Sequence, residues 1–303
     1  FETIRLPIDP GLIAAAASAD HPAVLDSIDN ALAMLRLAGF ATILDLHPGD
    51  DFRSLLDSDP ESAATLAEAA WNGLSAVIAA HPPDSVFPEL LNEPPLTSEA
   101  WLSLRSRLAA RVRANCPRHT IVWGPARFQG IWELAGTPPL DDDNQIASVH
   151  YYWPMGFTHQ CENWDREPLA RLRNLPFPAT KESPKVAALY EVLRQAGDAQ
   201  ARHFLDGEFA SPWSAQHIKA DFADAVRWSR ANKCPVILDE FGVLDFCADP
   251  VSRANWIGCV RHAAEANSIG WTYWELDQGF GFIRDRESTE GFDRSVIAAL
   301  VSP

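Results

Sequence analysis

Residues 25–46 read LDSIDNALAMLRLAGFATILDL, and this stretch decides the fold class. Leu25, Ile28, Leu32 and Leu35 recur at three- and four-residue spacing, so they line one face of a helix. Gly39 closes that helix, and Phe40 to Leu46 follows as an apolar strand. The same unit repeats in both directions along the chain. Upstream, Thr3 to Ile8 reads as a strand, ended by proline and by Asp9-Pro10-Gly11. Downstream, Leu66, Ala70, Leu74 and Val77 mark a helix before the strand Val86 to Leu91. A helix from Ser98 to Asn115, with Trp101, Leu104, Leu108 and Val112 on one stripe, stops at Cys116-Pro117 and leads into the strand Thr120 to Trp123.

Ile146 to Tyr152 is the next strand, followed by a segment of about 154–213 rich in proline, arginine, tryptophan and acids. That segment holds a helical stretch near Lys185 to Gln195 and no evident strand. Beyond it come the helix Ala215 to Asn232, the strand Pro235 to Leu238, the helix Ser252 to Ala266, the strand Trp271 to Glu275 and the helix Ser295 to Val301. Strands separated by helices of a dozen residues imply βα units and a parallel sheet. The strands start near residues 3, 40, 86, 120, 146, 235 and 271. A closed eight-stranded barrel needs one more. A doubly wound sheet suits the alternation too, but it usually carries a glycine-rich phosphate turn after its first strand, and Ile8-Asp9-Pro10-Gly11 is no such turn.

Composition narrows the classes. At 303 residues the chain fits one barrel as well as two smaller domains. With 25 basic and 41 acidic residues, the formal charge is −16, which argues against phosphate backbones and anionic lipid surfaces as partners. No apolar run is long enough to span a bilayer. Five cysteines without CxxC spacing argue against a zinc ribbon or thioredoxin motif, and leave one or two disulfides open beside buried thiols. The chain opens on FETIRLPI, with neither an initiator methionine nor a signal core. Eleven tryptophans stand against two methionines and four tyrosines. They imply a large aromatic core, or a surface that stacks on something flat.

The chemistry lies at the carboxyl ends of the strands, where barrel enzymes assemble their sites. Six of the seven strands carry polar or aromatic residues there: Arg5; His47; Asn92 and Glu93; His150 and Tyr152; Glu240; Trp274 and Glu275. His150 and Tyr152, two apart, share one face of their strand. Glu93 in LLNEPP and Glu240 in VILDEFGV each follow apolar strand residues, so each is expected to emerge from a low-dielectric wall into a cleft. Two carboxyls in different surroundings can divide the work, one protonated and one ionised, as glycoside hydrolysis requires. Asn92 is placed to bond a sugar hydroxyl, and Arg5 and Tyr152 to hold Glu240 as a carboxylate. Trp274 offers a flat face on which a pyranose ring can pack. A metal site is disfavoured: Asp45-Leu46-His47 is no HxH pair, and only two histidines sit at strand ends.

Together TIRLPI, ILDLHPG, LLNEPP, SVHYYWPMGFTHQ, VILDEFGV and GWTYWELD resemble glycoside hydrolase family 5, the cellulase family of retaining (β/α)8 glycosidases. The resemblance implies a TIM barrel over residues 1–303 as a single catalytic domain, with the insert at about 154–213. It implies that Glu93 is the general acid/base and Glu240 the nucleophile. Arg5, His47, Asn92, His150, Tyr152 and Trp274 would surround the sugar at the cleavage point. The implied mechanism places the two carboxyl groups roughly 5–5.5 Å apart. No metal or cofactor is implied. The implied substrate is a cellulose-like β-1,4-glucan, with mannan, xyloglucan and β-1,3-glucan as family alternatives. A non-catalytic polysaccharide-binding barrel is the reading from another class. Two departures stand out: Asp239 replaces the family's usual glycine, with its side chain expected to turn away from the cleft, and TIRLPI matches the family's second strand. The first strand and helix are therefore expected to be missing, either because the chain is a fragment or because the barrel closes differently. A secreted or periplasmic location follows from the same resemblance.

The remaining aromatic and polar residues divide by position. Trp71, Trp101, Trp228 and Trp256 fall on helix stripes and read as core. Trp123, Trp132, Trp153, Trp164 and Trp213 lie after strands or in the insert, where they can line sugar subsites. His159 and Gln160 read as loop residues around the cleft, Glu275 as structural, and Asp221 and Asp224 as solvated helix surface.

Overall fold

A computed structural model describes residues 1–13, 23–164, 167–288 and 290–302. The described residues hold seven strands: β1 (Thr3–Ile8), β2 (Ala41–Leu46), β3 (Val86–Glu89), β4 (Ile121–Trp123), β5 (Gln145–Tyr151), β6 (Val236–Phe241) and β7 (Gly270–Trp271). The principal helices among the described residues are α1 (Ala23–Leu37), α2 (Asp50–Ser58), α3 (Pro60–Ile78), α4 (Ser98–Asn115), α5 (Pro184–Gln195), α6 (Ala199–Glu208), α7 (Ala215–Asn232), α8 (Pro250–Ala266) and α9 (Arg294–Val301). All seven strands expected from the sequence are there. The expected helix at Lys185 to Gln195 is α5, and α2 and α6 are additional.

The strands neighbour one another in chain order, β1 to β7, and those from β1 to β5 pair in parallel. A doubly wound sheet runs outward in both directions from its starting strand, whereas a β/α barrel keeps one direction. The strand order therefore selects the barrel fold, which periodicity had left open. Register follows from it: Arg5 lies beside Ile43, Asp45 beside Glu89, and Glu89 beside Val122.

Helix starts follow local chemistry. Asp59, Thr97 and Asp249 accept the backbone N–H of Ser62, Ala100 and Ser252, and Asp293 those of Ser295 and Val296. Each side chain satisfies donors that the first helical turn leaves open. Pro60 and Pro250 stand at the first helical position, where a missing N–H costs nothing.

Two compact units divide the chain: residues 1–149 with 227–237, and residues 150–226 with 238–303. In the first, Trp71, Trp101 and Trp123 are fully buried. Their indole N–H groups donate to Leu90 O at 2.9 Å, Gly124 O at 2.8 Å and Gln145 Oε1 at 2.8 Å. Buried Trp228 donates to Thr137 O at 3.0 Å, and the Arg105 guanidinium lies 4.0 Å over the Trp123 ring. In the second unit, buried Trp256 donates to Trp153 O at 2.9 Å and buried Trp213 to Glu208 O at 3.1 Å. A buried indole needs such a partner for its one polar atom. The helix tryptophans are core, as their stripes imply. Trp123 and Trp213 are core as well, which corrects the subsite reading for those two. Asp221 also departs from expectation: it is buried and accepts the Tyr151 hydroxyl at 2.8 Å.

Strand β7 ends earlier than its sequence implies. Thr272 N–H still donates to Leu238 O, and Trp274 N–H to Phe241 O, each at 2.9 Å. A Cβ on Gly242 would lie 2.1 Å from Trp274 O. The glycine after Glu240-Phe241 is thus set by the close approach of the Trp274 main chain.

Candidate active site

In the first unit the site residues gather around one cation. Arg5 donates through Nε to Glu89 Oε2 at 2.7 Å, and through one terminal nitrogen to Glu89 Oε1 at 2.9 Å and Asn92 Oδ1 at 2.8 Å. The same nitrogen lies 3.0 Å from Asp45 Oδ2. Glu89 and Asp45 are both 0% exposed, and their strands set them in register side by side. Burial pushes the Asp45 carboxyl up from its ordinary value; Arg5 opposes that, Glu89 adds to it, and His47 opposes it. His47 Nδ1 lies 2.8 Å from Asp45 Oδ2, and its Nε2 lies 3.3 Å from Asn92 Nδ2. The Asn92 amide thus links Arg5 to His47.

Glu93 follows with a left-handed main chain, φ +43. Its N–H donates to Gln129 Oε1 at 2.5 Å. Arg127, just before Gln129, donates its N–H to Pro94 O at 3.0 Å.

In the second unit the centre is Glu240, at the end of β6 and 6% exposed. The Tyr152 hydroxyl donates to Glu240 Oε1 at 2.7 Å. Buried His150 has Nε2 3.2 Å from Asp239 Oδ1 and 3.7 Å from Glu240 Oε2. Asp239 is thus set against His150, where the sequence reading had given its side chain little part. Tyr152 is edge-on to His159 at 5.0 Å between ring centroids, and both pack on Phe280, at 5.7 Å and 5.3 Å. The Thr158 hydroxyl donates to Tyr152 O at 2.6 Å, and Leu244 N–H donates to Thr158 O at 2.9 Å. Arg253, buried on α8, donates to Val243 O, Phe280 O and Gly281 O at 2.9, 2.7 and 3.0 Å. It clamps the turn that carries Phe280. A disulfide joins Cys161 to Cys247, just past β5 and β6; Cys116, Cys234 and Cys259 are free.

Arg5, His47, Asn92 and Glu93 thus belong to the first unit, and His150, Tyr152, Glu240 and Trp274 to the second. His159 packs against Tyr152, whereas buried Gln160 bonds Phe157 O and Leu175 O and staples the insert. Trp132 and Trp164, at 50% and 56% exposed, keep the accessibility that a stacking residue needs. Sequence reasoning did not single out Glu89 or Gln129. Glu89 had a signal: an arginine buried in a sheet needs a counter-charge, and VFPELL supplies one acid. Gln129 had none, because its contacts depend on a loop conformation.

A family model described as Cellulase (glycosyl hydrolase family 5) matches residues 1–279. Endoglucanase 3 of Fibrobacter succinogenes is 26% identical over 98% of this chain and 47% of its own length. A solved endoglucanase structure superposes over 100% of this chain and 86% of its own, with TM-score 0.79 and 22% identity. Cel5A of Thermotoga maritima, solved in complex with cellobiose, is 25% identical over 99% of this chain and 86% of its own, with TM-score 0.78. The same protein has been solved with mannotriose. The chain spans about half the length of the curated Fibrobacter relative that it matches.

Proposed function

The chain belongs to the cellulase family, glycosyl hydrolase family 5, and we propose that it hydrolyses β-1,4-glucosidic bonds of cellulose-like glucans with retention, acting as one catalytic domain over residues 1–303. The Tyr152 hydroxyl on the Glu240 carboxylate at 2.7 Å is the observation that carries this reading. It orients one oxygen of the carboxylate that attacks. Glu240 attacks the anomeric carbon while Glu93 gives its proton to the departing glycosidic oxygen. Glu93, now a carboxylate, then takes a proton from water, whose oxygen displaces Glu240 from the glycosyl-enzyme. Arg5, His47, Asn92, His150, Tyr152 and Trp274 hold the acids and the reacting sugar in place.

Reducing-end release from carboxymethylcellulose, galactomannan and laminarin tests this reading. Wild type should cleave carboxymethylcellulose with the β-anomer as first product, and Glu240→Gln should lose about 10³-fold or more in kcat. Binding without release by wild type would favour the non-catalytic reading. An inverted product would overturn the nucleophile assignment. The mannotriose complex of Cel5A favours β-mannan as a second substrate, and cleavage of galactomannan alone would move the specificity there. Secretion or export to an oxidising compartment is part of the same proposal, supported by the Cys161–Cys247 disulfide.

A further inference from the structure

The turn after β4 contains three successive residues with left-handed backbone: Arg127 (φ +55), Phe128 (φ +65) and Gln129 (φ +53). None is glycine, and for L-residues each such step is unfavourable on its own, so surrounding contacts must offset it. The structure contains those contacts. Arg127 N–H is tied to Pro94 O at 3.0 Å. Gln129 is completely buried and lies over Gly124, where a Cβ would come within 2.1 Å of the Gln129 Cγ. Gly124 is in turn held by the Trp101 indole N–H at its carbonyl, at 2.8 Å. Both ends of the Gln129 amide are engaged. Oε1 accepts the Glu93 N–H at 2.5 Å, while Nε2 donates to Ser148 Oγ at 2.7 Å and lies 3.4 Å from Glu89 Oε1.

From this geometry we infer that Gln129 is the positioning residue for Glu93: it fixes the left-handed main chain at φ +43 and so aims the carboxyl that protonates the leaving oxygen. The inference rests on Glu93 being the acid/base. Only an amide meets the local demand, one acceptor for Glu93 N–H and one donor for Ser148. A carboxylate there would add a negative charge beside Glu89, and a thioether would leave the Glu93 N–H without its acceptor. A misplacement of about 1 Å at a proton-transfer group can cost roughly 100-fold in rate.

Gln129→Met, close in shape, tests this on a pair of substrates. One is a cello-oligosaccharide, whose leaving hydroxyl needs a proton; the other is 2,4-dinitrophenyl β-cellobioside, whose leaving phenolate does not. The comparison uses kcat/KM, which reports the glycosylation step. Gln129→Met is expected to lose about 10- to 100-fold on the cello-oligosaccharide and less than about 3-fold on the dinitrophenyl substrate. Ser148→Ala, which frees the other end of the amide, should show the same bias at smaller size, and it carries the test if Gln129→Met does not fold. Glu93→Ala is the reference. If it lacks the leaving-group bias, the acid/base reading itself fails. If it shows the bias while Gln129→Met and Ser148→Ala lose activity equally on both substrates, or lose none, the positioning role is overturned.

Discussion

Replacing Arg5 by methionine removes a cation that faces two buried carboxylates. Glu89 and Asp45 are each 0% exposed, and Arg5 reaches them at 2.7 and 3.0 Å. Removing one partner of a buried pair costs about 3–5 kcal/mol, because the charge left behind is neither hydrated nor neutralised. Unfolding entropy of about 2.1 cal/mol/K per residue gives roughly 0.64 kcal/mol/K for a chain of this length, so the cost corresponds to a Tm lower by about 5–8 °C at pH 7. The deficit should depend on pH in a defined sense. Burial already pushes the Asp45 carboxyl up, and removing Arg5, which opposes that, pushes it up further. A carboxyl in the unfolded chain releases its proton near pH 4. The folded variant therefore carries more protons than the unfolded one, and lowering the pH favours folding by about 1.4 kcal/mol, or 2 °C, per unit for each extra proton. Scanning calorimetry of wild type and Arg5→Met at pH 7 and pH 5 should show a smaller gap at pH 5 than at pH 7. Adding Glu89→Leu to Arg5→Met should recover part of the loss, since an apolar pair replaces a broken ionic one. A deficit under about 2 °C at pH 7, or one that is the same at both pH values, would refute the argument that these carboxylates depend on Arg5 away from water.

Glu208, half-buried at the end of α6, accepts the Gly156 N–H at 2.8 Å, and burial pushes its carboxyl up to about 7. Its protonated form suits the fold, so its favourable contribution is complete below about pH 4.5 and is lost as the pH rises through 7. Glu208→Gln keeps the acceptor without the charge and should match wild type at pH 4.5, yet be more stable by about 2 kcal/mol at pH 8.5; urea unfolding at the two pH values checks this. The Cys161–Cys247 link spans 86 residues, for which chain entropy predicts about 4.5 kcal/mol. Cys161→Ser with Cys247→Ser should lower the Tm by about 3–7 °C, and wild type in reductant should fall by the same amount. A reduced wild type as stable as the oxidised one would show that the link only joins segments already fixed by other contacts.

Much of the fold was legible because the signals are local. Helix stripes such as Leu25-Ile28-Leu32-Leu35, and stops such as Gly39 and Cys116-Pro117, act within a few residues, and all seven strands appeared where these signals left room for them. The errors came where burial depends on distant partners. Trp123 is the last residue of its strand, so its side chain was open to either role; Arg105 on α4 and Trp228 on α7 make it core. Asp221 sits on a polar-looking helix face but meets the Tyr151 hydroxyl.

Of the candidate site, the sequence alone determined which residue types stand at the strand ends: two glutamates, an arginine, histidines, a tyrosine and a tryptophan, in an order that a family shares. Residue type and strand position suffice for that, because alternation along a strand sets which side chains reach its end. Tertiary structure decided how those groups are held. Glu89 becomes the main partner of Arg5 only through the register of β1, β2 and β3. Tyr152 is braced by His159 and Phe280, which come from separate loops. Gln129, 36 residues beyond Glu93, reaches it only because three residues turn left-handed and lay the amide over Gly124. Such contacts join segments far apart in the chain, so their geometry is a property of the packed molecule, and no spacing in the sequence records it.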